Sequence, residues 1–130
     1  MNKKVLVIDD DKDVRSFVVT VLEENQYLPL TAFDGVEGLE TIKKQNPDLI
    51  ILDVLMPRGS GIRLYHILKT DEKLKKIPII MFTGISLRSF LKSQKVLEEF
   101  DGKEVPEPDI YLEKPVEPEE LVQAIKGKIG

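Results

Sequence analysis

The residues best equipped for chemistry in this sequence are Asp9, Asp10, Asp53, Thr83 and Lys114, each at the carboxyl end of a short apolar run. If those ends share one rim, three carboxylates meet there, and like charges so close repel unless something positive sits among them. All three are hard oxygen donors with no His or Cys nearby in sequence. Mg²⁺ suits such a set, because it takes one or two carboxylates, keeps several waters and leaves room for a phosphate oxygen. Lys114 adds a compact positive charge and Thr83 a hydroxyl. Together they would stabilise a phosphoryl group in transfer, a mostly electrostatic task. A carboxylate can itself be the nucleophile and form an aspartyl-phosphate.

The elements that must position these groups are legible from periodicity. Val5-Leu6-Val7-Ile8, Leu49-Ile50-Ile51-Leu52 and Ile77 to Phe82 are continuous apolar runs, as expected of strands buried on both faces. Leu28 to Ala32 and Ile110-Tyr111-Leu112 are shorter candidates, and Pro29 confines its strand to an edge. Between them, helical spacing links Val14, Phe17, Val18, Val21 and Leu22, with Asp10 or Asp11 as cap and an end near Asn25. Asp34-Gly35 opens a second helix with Val36, Leu39 and Ile42 inward, stopping before Pro47. After a turn over 57–61, Ile62, Leu64, Tyr65, Ile67 and Leu68 mark a third. Ser86 caps a fourth carrying Leu87, Phe90, Leu91 and Leu97, and Pro118 starts a last one carrying Leu121, Ala124, Ile125 and Ile129. Strand-helix alternation five times over implies an α/β fold: a five-stranded doubly wound parallel sheet, flavodoxin-like (β/α)5, in the order 2-1-3-4-5. Right-handed crossovers then put all the strand ends on one rim, with the first and third strands adjacent at the switch point.

Composition removes several classes. The chain has 130 residues, 42% hydrophobic and 32% charged, which describes a single globular domain over 1–130. A net charge of −4 argues against direct nucleic-acid binding. No apolar run approaches a membrane span, and the absence of cysteine is compatible with the cytoplasm. Asp9, Asp11 and Asp13 imitate the start of a calcium-binding EF-hand loop. Val14 and Thr20 then occupy the places of its glycine and glutamate, so the match fails. His66 lies mid-helix away from the rim, and Lys69, Lys73, Lys75 and Lys76 read as a solvated face.

Asp9-Asp10, Asp53 with Met56-Pro57 and Gly61, Thr83-Gly84, and Tyr111 with Lys114-Pro115 form an ordered set. This set resembles the motifs of response-regulator receiver domains over almost the whole chain. The resemblance implies that Asp53 accepts a phosphoryl group from a phosphohistidine on a sensor histidine kinase or a histidine phosphotransfer protein. It implies that Asp10, Asp53 and the Leu55 backbone carbonyl ligate Mg²⁺ directly, with Asp9 acting through water. Thr83 and Lys114 would bind phosphoryl oxygens, Tyr111 would be an aromatic switch following Thr83, and Lys114-Pro115 would be cis. The expected output is a downstream effector protein or a fused output domain. The chain would be no enzyme beyond its own phosphorylation and dephosphorylation.

The sequence departs from that pattern over Asp101 to Asp109, a polar loop with Gly102, Pro106 and Pro108 in place of a short turn. Leu55 and Ile85 are apolar where a water-positioning group would hasten hydrolysis, which favours a slow loss of phosphate. Two alternatives accompany the main reading. One is a phosphorylation-independent interaction module of the same fold. The other is a haloacid-dehalogenase-like phosphatase, which leaves Asp53 without a role.

Overall fold

The computed structural model describes residues 2–57 and 60–130. Five strands alternate with five helices: β1 (Lys4–Ile8), α1 (Lys12–Glu24), β2 (Leu28–Ala32), α2 (Gly35–Gln45), β3 (Leu49–Leu52), α3 (Ser60–Thr70), β4 (Ile79–Thr83), α4 (Leu87–Asp101), β5 (Ile110–Glu113) and α5 (Pro118–Ile129). All strand pairs are parallel, in the order β2-β1-β3-β4-β5 expected from the sequence. Part of the 57–61 turn, residues 58 and 59, lies outside the described residues.

The period of two along each strand sorts the core into two layers. Val5, Val7, Ile51, Ile80 and Phe82 pack with Val18, Leu22, Leu121 and Ile125 beneath α1 and α5. Leu6, Ile8, Ile50, Leu52 and Met81 pack with Ile42, Leu64, Leu68 and Phe90 on the opposite face. Because β1, β3 and β4 are covered on both sides, their sequences show no polar alternation. Pro29 pairs in register with Val5 on the edge strand β2, as its missing N–H requires.

Side-chain caps set the helix starts. Asp11, not Asp10, caps α1 by accepting from the Asp13 and Val14 N–H groups. Asp34 caps α2 by accepting from Glu37 N–H at 2.8 Å, while Glu37 reaches back to the Phe33 N–H at 3.0 Å. Ser86 caps α4 through the Ser89 N–H, and Gly102, with φ 72°, closes that helix in the left-handed region.

Val36, expected to face inward, is 70% exposed, and Ile67 and Leu87, two of the apolar residues that marked α3 and α4, are also exposed. In α2 the buried face is Gly35, Gly38 and Ile42. A Cβ on Gly38 would lie 2.7 Å from Ile8 Cδ1, so the helix backbone itself rests on the sheet and Val36 is rotated outward. In α3 the inner face is Gly61, Leu64, Tyr65 and Leu68, leaving Ile67 on the flank; in α4 it is Phe90 and Gln94, leaving Leu87 outside. Strand β4 begins at Ile79 rather than Ile77, after Pro78, which has no N–H to give a ladder. Lys69 departs from the solvated face predicted for it. It is half-buried, its ammonium reaches the Lys75 and Ile77 carbonyls at 3.4 Å, and burial lowers its pKa.

Candidate functional site

The strand ladders run one residue past the strands and thereby fix the acids. Asp9 N–H donates to the Ala32 carbonyl at 3.1 Å, and Asp53 N–H to the Ile8 carbonyl at 3.0 Å. Carboxylate oxygens of Asp9, Asp10 and Asp53 consequently lie within 4.8 Å of one another; Asp9 and Asp53 are buried and Asp10 is exposed. Lys114, delivered by an N–H bond to the Thr83 carbonyl at 2.8 Å, enters from the other side. Its ammonium is 2.7 Å from Asp9 Oδ2 and 3.5 Å from Asp53 Oδ2, and 5.4 Å from the centre of the Phe82 ring.

Each buried carboxylate has one further anchor. Asp9 Oδ1 accepts from the Asp11 N–H and Asp53 Oδ1 from the Leu55 N–H, both at 2.9 Å. Burial raises the Asp9 pKa above its ordinary value, and the Asp53 charge adds to this; the Lys114 and Asp11 hydrogen bonds oppose it. Gly61 lets α3 approach, since a Cβ there would run into the Asp53 carbonyl and Val54 Cα.

Three carboxylates against one ammonium leave the cluster at −3 + 1 = −2 when ionised. An all-oxygen donor set with that residual charge fits a hard divalent cation, and the donor chemistry matches Mg²⁺ better than a soft metal. Thr83 is fully buried and its hydroxyl has no hydrogen-bond partner among the described residues. That hydroxyl is therefore free to donate to an acceptor that enters the site. Half-buried Tyr111 donates from its hydroxyl to the Ile85 carbonyl at 2.8 Å; burial first, then the Glu113 and Asp53 charges, push its pKa up to about 12. The Lys114-Pro115 peptide is cis.

The structure thus brings Asp9, Asp10, Asp53 and Lys114 into one cluster, with Leu55 bonded directly to Asp53. His66 stands apart from it on α3, with Nε2 2.6 Å from Asp101 Oδ2. Two contributors escaped the sequence reading. Arg15 donates to the Asp9 carbonyl at 2.7 Å, one turn into α1, and Phe82 lies beneath the Lys114 ammonium. A basic residue on the α1 turn after the acids was the available signal for the first; nothing local marked the second.

Residues 5–126 match the family model described as the response regulator receiver domain. The chain belongs to that family. This receiver domain is 34% identical to the phosphate regulon transcriptional regulatory protein PhoB of Klebsiella pneumoniae, across 98% of the chain and 52% of that regulator. It therefore spans about half the length of that relative. It is 33% identical to protein PilG of Pseudomonas aeruginosa, across 97% of the chain and 87% of PilG. The structure of chemotaxis response regulator CheY4 of Vibrio cholerae superposes with a TM-score of 0.80 at 28% identity, covering 99% of this chain and 100% of that one. Receiver domains are signalling modules, and membership sets aside the dehalogenase-like alternative. No helix among the described residues is long and apolar enough to cross a membrane.

Proposed function

We propose that residues 1–130 form a single phosphoacceptor receiver domain of a two-component or phosphorelay system, with Asp53 as the acceptor. The observation that carries this reading is the Asp9–Asp10–Asp53 cluster with Lys114 bridging Asp9 and Asp53. The donor is a phosphohistidine on a sensor kinase or a phosphotransfer protein. Its N–P bond breaks as an O–P bond to the Asp53 carboxylate forms, and the electron pair leaves on the imidazole nitrogen. Lys114 and the Thr83 hydroxyl meet the phosphoryl oxygens, which gives the buried Thr83 hydroxyl its partner. Asp9, Asp10, Asp53 and the Leu55 carbonyl would hold Mg²⁺, Asp9 through water, and the ion supplies charge neutralisation to the incoming phosphoryl group. As Thr83 is drawn toward the phosphoryl group, Tyr111 repacks and changes the face offered to a downstream effector or fused output domain. The domain turns over no separate substrate, acts in the cytoplasm, and contacts neither nucleic acid nor membrane itself.

The test is incubation with acetyl phosphate and Mg²⁺ followed by intact-mass measurement. A one-phosphoryl gain, lost in Asp53→Asn and on chelation of the metal, is expected. No gain with any small phosphodonor or phosphohistidine protein would leave a phosphorylation-independent interaction module of the same fold.

A further inference from the structure

Residues 103–109, between α4 and β5, are fastened across α3 and α4. Val105 N–H donates to Glu98 Oε2 at 2.8 Å, and the Pro106 carbonyl accepts from the Tyr65 hydroxyl at 2.7 Å. Val105 also packs on the core layer shared by α3 and α4. The ends are tied as well: Asp101 accepts from Lys103 N–H at 2.9 Å and lies 2.6 Å from His66, while Asp109 pairs with Lys128 at 2.7 Å. The segment is a strap with a fixed seat.

That seat leads inward. Tyr65 is fully buried and its ring meets Phe90 edge-on, with centroids 5.1 Å apart and planes at 84°. Phe90, also fully buried, meets Tyr111 at 5.9 Å. Tyr111 ends the chain of rings at the Ile85 carbonyl, two residues past Thr83. Close-packed rings cannot move independently. A cleft of about 230 Å³ lies between α4 and the strap, bordered by Phe90, Gln94, Val105 and Pro106.

We propose that the 103–109 strap is energetically coupled to Asp53 through Tyr65, Phe90 and Tyr111, so that strap opening and phosphoryl occupancy regulate one another. The coupling rests on the phosphoacceptor reading above. Tyr65 is a positioning residue here: it holds the strap and one end of the ring chain, and touches no reacting atom. Reciprocity follows from linkage, because the factor by which occupancy changes strap opening must equal the factor by which strap opening changes affinity.

The test uses the intact chain with Mg²⁺ and beryllium fluoride, an acyl-phosphate mimic. Amide hydrogen exchange is read over 53–55 and 103–109, and affinity is measured by calorimetry. Saturation is expected to change strap exchange about fivefold or more. Tyr65→Phe, which keeps the ring and deletes only the strap bond, shifts affinity with the sign linkage demands. If the variant binds more tightly, occupancy must open the wild-type strap; if more weakly, occupancy must close it. Phe90→Leu keeps the strap bond and breaks the ring chain, so it abolishes the strap response while exchange over 53–55 still responds. A strap unchanged at saturation, a sign mismatch in Tyr65→Phe, or a full strap response in Phe90→Leu each overturns the coupling while the phosphoacceptor reading stands. No response over 53–55 in the wild type removes both.

Discussion

Replacing Asp10 with Asn should stabilise the metal-free domain and destabilise it relative to wild type once Mg²⁺ is present. The cluster oxygens lie within 4.8 Å of one another, where a pair of unit charges repels by about 0.9 kcal/mol in water and about 3.5 kcal/mol at an effective dielectric of 20. Asp10 is exposed, so the aqueous end of that range applies to its two repulsions, with Asp9 and Asp53. Losing both, less a smaller loss of attraction to Lys114, whose ammonium pairs with Asp9 and Asp53, leaves a gain of about 1 kcal/mol, or about 4 °C in melting temperature for a domain of this size. With Mg²⁺ at a hundredfold excess over its dissociation constant, wild type gains about 2.7 kcal/mol. Asp10→Asn should keep only a fraction of that, because it removes a carboxylate proposed above to hold the ion. Thermal melts in EDTA and across an Mg²⁺ titration should therefore cross. A variant less stable than wild type in EDTA, or equal Mg²⁺ stabilisation of both proteins, would refute the electrostatic account of this cluster.

Three further outcomes follow from individual contacts. Gly61→Ala should cost about 2–3 kcal/mol in urea unfolding, because its new methyl meets backbone at Asp53 and Val54 that has nowhere to yield. Thr83→Val should leave stability unchanged or raise it by up to about 1 kcal/mol, since the deleted hydroxyl has no partner among the described residues, while slowing phosphoryl uptake from acetyl phosphate. The Asp101 pKa is lowered below 3.8 by the Lys103 N–H first and by His66 second. A depressed carboxylate contributes stability above its unfolded pKa and loses it as pH falls through the folded value. Asp101→Asn should accordingly be less stable than wild type at neutral pH, with the gap closing below 3.8 in paired urea titrations.

The sheet was readable because β1, β3 and β4 are buried on both faces, so their composition alone declares them. The rim was readable because topology carries strand ends to one side whatever the side-chain details. What the periodicity of apolar residues missed in α2 has a specific cause. The contact face there is built on Gly35 and Gly38, which carry no hydropathy signal, whereas the conspicuous apolar residue, Val36, faces solvent. Arg15 and Phe82 escaped for a related reason: their roles depend on which way a side chain leaves an element, and spacing does not specify that. The 101–109 segment was visible as an irregularity, but its seat on Tyr65 needed three dimensions, because the partners are 41 positions apart.

Pro29 has a consequence beyond its own strand. A sheet recruits foreign backbone through the open row of N–H and C=O groups on its outermost strands. Here one border strand, β2, carries a residue with no N–H in its interior, and the other, β5, is only four residues long. Neither offers a long uninterrupted template. Copies of this chain at high concentration are thus protected from zipping together strand by strand, and any association between them has to be made by helices and side chains, where it can be specific and reversible.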